Sequence, residues 1–297
     1  MDIKDVVIVG AGPAGIATAI QLARYGIRYV LLEQGEVGGL LKNANLVENY
    51  PGFPHGISGL DLVGLFKKQL ENVGLKVNFE RVLEIEYKDK LFFTKTDRRI
   101  FKSPFVVIAT GTRPKRIPRL TISDDVKKRI FYEIYPIRKT QNKKIAIIGA
   151  GDAAFDYALS LSGKNKVTIL NRSGQTRCFP LLWSRCMKSK AISYLDNVSL
   201  KKIDDYNKKL QLTYTNQSNQ NEKQIYADYV VVAIGRVPCL DFLGKYLKEN
   251  LVNLTKMNTL YMVGDVKNKI YRQTAICVGD GIKAAMKIYR KMRKENG

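Results

Sequence analysis

Val6-Val7-Ile8-Val9, followed at once by Gly10-Ala11-Gly12-Pro13-Ala14-Gly15, is the stretch that decides the fold. A continuous run of β-branched residues is typical of a strand buried on both faces, and the glycines indicate a tight turn from strand to helix. A run rich in Ile, Ala and Leu comes next, and Tyr29-Val30-Leu31-Leu32-Glu33 has the pattern of a second buried strand. The stretch therefore predicts a βαβ unit.

The three glycines of this turn each have a separate task in a dinucleotide-binding unit. Gly10 permits the tight turn, Gly12 lets the backbone approach a pyrophosphate, and Gly15 lets the helix pack closely on the sheet. The pyrophosphate lies at the helix N-terminus, where free N–H groups and the helix dipole favour negative charge. Glu33 ends the second strand, where a carboxylate accepts hydrogen bonds from a ribose diol. Together these features predict a bound dinucleotide.

The same design occurs a second time. Lys144-Ile145-Ala146-Ile147-Ile148 leads into Gly149-Ala150-Gly151-Asp152-Ala153-Ala154, a helix to about Ser162 and a strand over 167–170. Each copy closes with a further buried strand, over 105–111 in the first and 229–235 in the second. Two such units in one chain support nucleotide binding more strongly than either alone.

Shorter segments fill the rest of the chain. Residues 60–73 have helical periodicity, and short strands over 76–79, 82–87 and 91–96 are predicted to form a meander that lies on the first domain. The segments 112–120, which contains Pro114 and Pro118, and 236–238 are interpreted as linkers. A long helix after Arg272-Gln273-Thr274-Ala275 is predicted to reach the C-terminus.

The bulk composition is ordinary for a globular protein. The 297 residues can hold two domains, and 45% hydrophobic with 26% charged residues gives no sign of disorder. The N-terminus has no signal-peptide pattern and no apolar run has membrane-spanning length, which predicts a cytoplasmic protein without a membrane span. The four scattered cysteines are interpreted as reduced thiols, and the lone His55 lies in a Pro/Gly-rich loop, so no metal site is predicted.

The formal net charge of +23 is large. Such a charge attracts phosphates, nucleic acid, anionic membranes or acidic proteins, and lysines and arginines are concentrated over 113–144 and 283–294. A solvated basic surface and a docking surface both remain open at this point. The basic stretches lack interleaved aromatic residues and contain no known nucleic-acid module, so nucleic acid is not predicted as a partner.

With these motifs in place, the chain resembles the thioredoxin reductase-like flavoproteins over essentially its full length. The resemblance implies an α/β fold of two Rossmann-like dinucleotide-binding domains of the three-layer ββα type, with the NAD(P)H domain inserted into a discontinuous FAD domain. The implied boundaries are 1–114 and 245–297 for the FAD domain and 115–244 for the NAD(P)H domain. The resemblance rests on the two glycine motifs, Glu33, Gly38-Gly39, 47–54, 109–111, Gly235 with Pro238, Gly264-Asp265 and Arg272-Gln273-Thr274-Ala275.

The resemblance also implies roles for individual residues. Asp265 is expected to bond the ribityl chain of FAD or its phosphate, with an ordinary turn aspartate as the plainer alternative. A helix that begins near Thr274 would point its positive end at the flavin N1–O2 edge, where negative charge accumulates on reduction. The residues implied to contact FAD are Gly10, Gly12, Pro13, Ala14, Gly15, Glu33, Gln34, Gly39, Leu40, Asn49, Val82, Ala109, Thr110, Gly111, Gly264, Asp265, Arg272, Gln273 and Thr274.

The nicotinamide nucleotide is expected at the second glycine motif. Asn171-Arg172-Ser173 follows the second strand of that unit where an acid would favour NADH, and Arg177 comes soon after. Two arginines there resemble a clamp for the 2′-phosphate of NADPH, which is favoured over NADH, although NADH remains possible and both arginines could be ordinary surface residues. The residues implied for this site are Gly149, Gly151, Asp152, Ala153, Asn171, Arg172, Arg177 and Gly235.

The chain departs from thioredoxin reductases where these carry a redox-active Cys-x-x-Cys. The corresponding region contains Tyr132 and Tyr135 near the expected sulfur positions, and no tyrosine can perform disulfide exchange. Either ring could cover the flavin, or both could be core aromatics. Cys178 and Cys186 are the only candidates for a relocated pair, and isolated cysteines are more often buried packing groups.

The leading hypothesis is an FAD-dependent NAD(P)H oxidoreductase that passes hydride from NADPH to flavin N5 and then electrons to a non-dithiol acceptor. No catalytic side chain is demanded, because the flavin carries the chemistry. A ferredoxin–NADP reductase of the thioredoxin reductase-like type fits the positive charge, since ferredoxins and flavodoxins are usually acidic; quinone and oxygen remain open as acceptors. The alternatives are a disulfide reductase with relocated thiols and a non-catalytic flavin- or nucleotide-binding regulator. The resemblance also implies a homodimer.

Overall fold

The computed structural model describes residues 2–117, 123–216 and 220–295, and it divides into two compact units. The first unit contains Met1–Lys42, Val47–Arg113 and Val237–Gly297, and the second contains Asn43–Leu46 and Pro114–Arg236. Both units are discontinuous in sequence. The predicted inserted domain, 115–244, ends later than the second unit does, and its assignment to NAD(P)H stays a prediction.

The described elements are nineteen strands, seven α-helices and three short 3₁₀ helices. The helices are α1 (Pro13–Arg24), α2 (Gly59–Asn72), α3 (Asp124–Lys127), α4 (Asp152–Ser162), α5 (Pro180–Lys188), α6 (Lys245–Lys256) and α7 (Thr274–Glu295), with 3₁₀ turns at Gly39–Asn43, Tyr135–Ile137 and Gly264–Val266. The strands are β1 (Asp2–Ile3), β2 (Val6–Val9), β3 (Tyr29–Glu33), β4 (Val77–Phe79), β5 (Val82–Lys88), β6 (Leu91–Thr96), β7 (Ile100–Ser103), β8 (Phe105–Ile108), β9 (Thr112–Pro114), β10 (Ile130–Phe131), β11 (Lys144–Ile148), β12 (Lys166–Leu170), β13 (Ile192–Leu195), β14 (Val198–Tyr206), β15 (Lys209–Asn216), β16 (Glu222–Ala227), β17 (Tyr229–Val232), β18 (Arg236–Pro238) and β19 (Leu260–Met262).

A parallel five-stranded sheet forms the centre of the first unit, in the order β19-β8-β2-β3-β4. Val7 pairs with Val106 on one side and with Val30 on the other, and all four residues of β2 are buried. A strand covered on both faces needs the unbroken apolar run that the sequence provides. Helix α1 leaves the carboxyl end of β2 through the glycine turn, which completes the predicted βαβ unit.

A second sheet, β1-β7-β6-β5, packs on the parallel one through a shared apolar core. Phe92 and Phe101 from this sheet contact the core that contains Val7 and Val106, and helix α6 adds Leu247. The meander therefore lies on the first domain as expected, with one correction. The strand predicted over 76–79 is not part of it, because β4 pairs in parallel with β3 at the edge of the central sheet.

The second unit repeats the arrangement with the parallel sheet β10-β17-β11-β12-β13. Helices α4 and α5 cover one face, where Phe155 and Cys186 are fully buried. The other face is covered by α3 and the antiparallel sheet β14-β15-β16, which brings Leu210 and Leu212 into a separate core cluster. The predicted fold class, a pair of Rossmann-like layered domains, is confirmed.

The two segments interpreted as linkers form structure of their own. Strand β9 pairs with β18 in a two-stranded sheet where the chain passes from one unit to the other and back. The chain passes between the units at both segments, as the linker interpretation expects, but their pairing as strands was not predicted, because it joins segments far apart in sequence. Pro118 and the rest of 118–120 lie outside the described residues. Within the described part of the chain, no helix is both long and apolar enough to cross a bilayer.

Candidate functional site

The first glycine turn has the shape that a phosphate cradle requires. Gly10 adopts φ +103°, and a Cβ there would lie 2.5 Å from the carbonyl oxygen of Ala109. A Cβ at Gly15 would lie 1.9 Å from the Gly10 carbonyl oxygen, so both positions accept only glycine. Gly12 differs, because a Cβ there meets nothing within 4 Å. The space in front of Gly12 at the start of α1 is therefore open for a ligand.

Three segments converge on this turn. Glu33 Oε2 accepts a hydrogen bond from the Ala11 N–H at 2.8 Å, while its Oε1 accepts one from the Gly35 N–H at 2.9 Å. The Gly38 N–H donates to the Ala11 carbonyl at 2.8 Å, and a Cβ at Gly39 would lie 3.4 Å from Gly12 Cα. The structure thus brings the predicted ribose acid and the second glycine pair to the phosphate turn.

A second group of predicted flavin contacts also comes together in the first unit. Asn49 Nδ2 donates to Gln273 Oε1 at 2.9 Å, although the two residues are far apart in sequence. The neighbouring Arg272 has a buried Nε that finds no hydrogen-bond acceptor among the described residues. Helix α7 begins at Thr274, as predicted, so its positive end lies beside these side chains. A buried N–H without a partner, such as that of Arg272, fits a site where a polar group of a ligand accepts its hydrogen bond.

The Gly264-Asp265 turn lies against the phosphate turn. Gly264 adopts φ +73°, and a Cβ there would lie 3.0 Å from the Ala14 Cβ and 3.3 Å from the Cys277 sulfur. Asp265 is half-buried, and its Oδ1 accepts a hydrogen bond from the Cys277 thiol at 3.2 Å. Burial raises the pKa of Cys277, and the nearby Asp265 carboxylate raises it further, so the sulfur keeps its proton.

The remaining predicted residues of the first unit have more ordinary surroundings. Thr110 Oγ1 donates to the Cys239 carbonyl at 2.7 Å, and the Cys239 N–H donates to the Gly111 carbonyl at 3.1 Å. Val82 packs against the hydrophobic core of the first unit. Its predicted role toward FAD would therefore rest on its backbone.

The second glycine turn repeats the geometry of the first. Gly149 adopts φ +122°, and a Cβ there would lie 2.3 Å from the Ala233 carbonyl oxygen, whereas a Cβ at Gly151 meets nothing within 4 Å. Asp152 opens α4, and its Oδ1 accepts the Phe179 N–H at 3.0 Å. The Asp152 carboxylate therefore lies at the second glycine turn and also binds the backbone at the start of α5.

The loop after β12 carries the two predicted arginines. Asn171 is buried, and its side chain closes the loop by donating to the Gln175 carbonyl at 3.0 Å and to the Tyr194 hydroxyl at 2.8 Å. The Arg177 N–H donates to the Ala150 carbonyl at 3.1 Å, which places Arg177 at the second glycine turn. Arg172 and Arg177 are both exposed, and neither forms an ion pair with any described residue. Asn171 shapes this loop, while the arginines are available to a ligand.

Tyr132 and Tyr135, which are predicted to lie near the sulfur positions of the dithiol, form contacts within the second unit. The Arg116 guanidinium lies 4.5 Å from the centre of the Tyr132 ring, and the Tyr135 N–H donates to Asn43 Oδ1 at 3.0 Å. Glu133 between them accepts a hydrogen bond from the Tyr157 hydroxyl at 2.8 Å and forms an ion pair with Arg236. The Tyr132 ring packs against a core cluster of the second unit, whereas the Tyr135 ring is 39% exposed, so only Tyr132 fits the interpretation as a core aromatic.

A half-buried acid, Asp156, lies close to the same contacts. Asp156 accepts the Asn45 N–H at 2.9 Å, and burial raises its pKa to about 6, against the opposing effect of the Arg138 charge. The Arg138 Nη1 is itself buried and has no hydrogen-bond partner among the described residues. Neither residue had a signal in the sequence, because Asn45, the partner of Asp156, lies far from it along the chain.

The four cysteines are free thiols in the structure. Burial raises the pKa of Cys178 to about 12, with the Asp152 charge adding to the effect, and burial raises that of Cys186 to about 11. The Cys186 thiol donates to the Phe155 carbonyl at 3.5 Å within the core beside α4. Dithiol exchange requires a thiolate, so these environments oppose it.

Known proteins share this organisation along nearly the whole chain. The model of the family described as pyridine nucleotide-disulphide oxidoreductase matches residues 4–281. A thioredoxin reductase of Borreliella burgdorferi is 29% identical over 302 residues, which cover 96% of this chain and 91% of that protein.

Solved structures agree with that relationship. The thioredoxin reductase of T. acidophilum has a TM-score of 0.87 at 29% identity, and that of Lactococcus lactis in the FR conformation has 0.86 at 26%. Each alignment covers 98% of this chain and 99% of the other. The resemblance inferred from the motifs is thereby confirmed, and so is the prediction of an FAD-dependent enzyme. This chain belongs to the pyridine nucleotide-disulphide oxidoreductase family and is a thioredoxin reductase-like flavoprotein that binds FAD and NAD(P)H.

Proposed function

We propose that this enzyme transfers electrons from NADPH, through FAD, to an acceptor that is not a protein dithiol. The observation that supports the proposal is a sequence that contains no Cys-x-x-Cys and has Tyr132 and Tyr135 near the expected sulfur positions. A phenol cannot form the mixed disulfide through which a dithiol passes electrons on. Both glycine turns nevertheless keep an open space for a nucleotide.

The chain's own residues would bind and orient the two cofactors. Gly12 and the start of α1 would hold the FAD pyrophosphate, and Glu33 would hold the adenosine ribose. Asn49, Gln273 and the N-terminus of α7 would face the flavin ring. When bound, FAD supplies the hydride acceptance from nicotinamide and the onward release of electrons.

The charge of the protein supports an acidic electron carrier as the acceptor. A net charge of +23 would attract a ferredoxin- or flavodoxin-type protein over long distances and raise its association rate at low salt. We include a homodimer in the proposal on the family resemblance alone.

An anaerobic acceptor screen tests the proposed function. NADPH is expected to bleach the flavin, and the bleached enzyme is expected to return to its oxidised colour with ferredoxin, quinone or oxygen but not with a disulfide dye. The double variant Cys178→Ser, Cys186→Ser is expected to show rates within about twofold of the wild type, because both sulfurs are protonated. Stopped-flow absorbance measures both half-reactions.

Two results would contradict the proposal in different ways. Rapid reoxidation by the disulfide dye that disappears in the double variant would establish the relocated dithiol. A flavin that stays oxidised with both NADPH and NADH would favour a binding protein without turnover. The rank order of the acceptors would identify the class of the physiological one.

The nucleotide preference is tested by Arg172→Ala and Arg177→Ala. If each guanidinium grips the 2′-phosphate, each variant should raise the KM for NADPH roughly ten- to hundredfold, the effect of losing a charge-assisted hydrogen bond. The KM for NADH should change little, because NADH lacks that phosphate. Lys164→Ala, an exposed cation beyond the far end of α4, is the matched control. Equal losses with both nucleotides would refute the clamp.

A further inference from the structure

Asp280 of helix α7 contacts the Gly264-Asp265 turn, although it is not part of any of the predicted binding motifs. Asp280 Oδ2 accepts the Gly264 N–H at 3.1 Å and the Asn268 Nδ2 at 2.6 Å. Its Oδ1 accepts a hydrogen bond from Lys267 Nζ at 3.3 Å. The Asp280 side chain is 15% exposed; its bonds to Gly264 and Asn268 are partly buried, and its bond to Lys267 lies at the surface. One carboxylate thus holds the turn from its first residue to its last.

Cys277 reaches the same turn from one helical turn earlier. Residues three apart lie on the same face of a helix, so Cys277 and Asp280 approach the turn together. The Cys277 thiol donates to Asp265 Oδ1 at 3.2 Å, and burial keeps the thiol protonated by raising its pKa. The thiol therefore fixes the orientation of the Asp265 carboxylate.

The same face of α7 also packs against the phosphate turn. A Cβ at Gly281 would lie 2.2 Å from the Ala14 carbonyl oxygen, so the helix approaches α1 as closely as glycine allows. Gly264 lies between Ala14 and Cys277, and a Cβ there would be 3.0 Å from the first and 3.3 Å from the sulfur of the second. The face defined by Cys277, Asp280 and Gly281 thus joins two segments that are expected to contact FAD.

We propose that Asp280 and Cys277 are positioning residues that hold Asp265 for the ribityl–phosphate part of FAD. The inference rests on the proposed function and, within it, on the role toward FAD that the resemblance implies for Asp265. Asp280 sets the backbone of the turn by bonding its first N–H, and Cys277 sets the rotation of the carboxylate. Without Asp280, the Gly264 N–H would be buried without an acceptor, and the turn would lose its fixed register against α1.

The test measures how firmly the purified holoprotein keeps its FAD. Asp280→Ala is expected to release FAD roughly ten- to hundredfold faster after dilution, as loss of a buried polar network predicts. Asp280→Asn keeps one oxygen acceptor and should show a smaller effect. Cys277→Ala should accelerate release several-fold, and Cys277→Ser, which retains a donor, should restore a rate close to the wild type. Lys287→Ala, an exposed residue of α7, is the control.

Thermal unfolding separates positioning from simple destabilisation. Added FAD stabilises a protein according to its affinity, so the rise in Tm with FAD should be smaller in Asp280→Ala than in the wild type. Release rates within twofold of the wild type in both alanine variants would overturn the inference. An equal loss of Tm with and without FAD, at unchanged release rate, would do the same. Neither measurement uses an electron acceptor, so the result is independent of the acceptor screen.

Discussion

Gly12→Val is expected to give a folded protein that contains no FAD. Gly12 has φ −76° and ψ −179°, which any residue can adopt, and a Cβ there meets nothing within 4 Å. The backbone therefore accepts a Cβ at Gly12, and the valine methyl groups would extend into the space at the start of α1. Displacing the pyrophosphate from two or more charge-assisted N–H bonds weakens FAD binding by roughly hundredfold or more.

Flavin absorbance of the purified variant, relative to protein, measures this effect. Gly64→Val is the matched control, since Gly64 lies exposed in α2 and a Cβ there also meets nothing within 4 Å. We expect the control to retain full FAD, with circular dichroism unchanged in both variants. A Gly12→Val protein that purifies with a full complement of FAD would show that the pyrophosphate lies elsewhere.

Gly151→Val is expected to separate the two cofactor sites. Gly151 has φ −95° and ψ 177°, and a Cβ there again meets open space. The variant should retain FAD, which is expected in the other unit, and should lose at least about hundredfold in the rate constant kcat/KM for NADPH through a blocked pyrophosphate site. Dithionite, which needs no nucleotide site, should still bleach its flavin.

Anaerobic titration with NADPH and then dithionite distinguishes the outcomes. Gly163→Val, at the other end of α4 and equally free of neighbours within 4 Å, should behave as the wild type. Loss of FAD from Gly151→Val would contradict the assignment of the two turns to different nucleotides. Normal bleaching by NADPH would show that the second turn does not bind it.

The sequence predicted the two glycine turns and the strands beside them because their physics is local. A buried strand needs an apolar run, and a turn with positive φ needs glycine. The strand Val6–Val9 and the turn at Gly10 can therefore be predicted from the local sequence. The start of α7 at Thr274 was also predicted, from the resemblance. Strand β4 was misplaced, since a strand of three residues carries no pattern that distinguishes a parallel edge from a meander.

Other features depend on partners far away in the chain. Asp280 has no local signal, and its role appears only when α7 lies against the Gly264-Asp265 turn. The sheet β14-β15-β16 went unpredicted, although the alternation of Leu210, Leu212 and Tyr214 is typical of a half-buried strand and could have revealed it. The pairing of β9 with β18 had no comparable signal.

That pairing has a consequence for how such a protein can be assembled. The Lys115 N–H donates to the Gly235 carbonyl at 2.9 Å, so the long segment 114–236 begins and ends at neighbouring points. The segments on either side of 114–236 are therefore held close together. The entropic cost of bringing the ends of such a segment together grows only slowly with its length. Strands β9 and β18 therefore form a natural junction for exchanging 114–236, in evolution or in the laboratory, as long as 43–46, which belongs to the same unit, is exchanged with it.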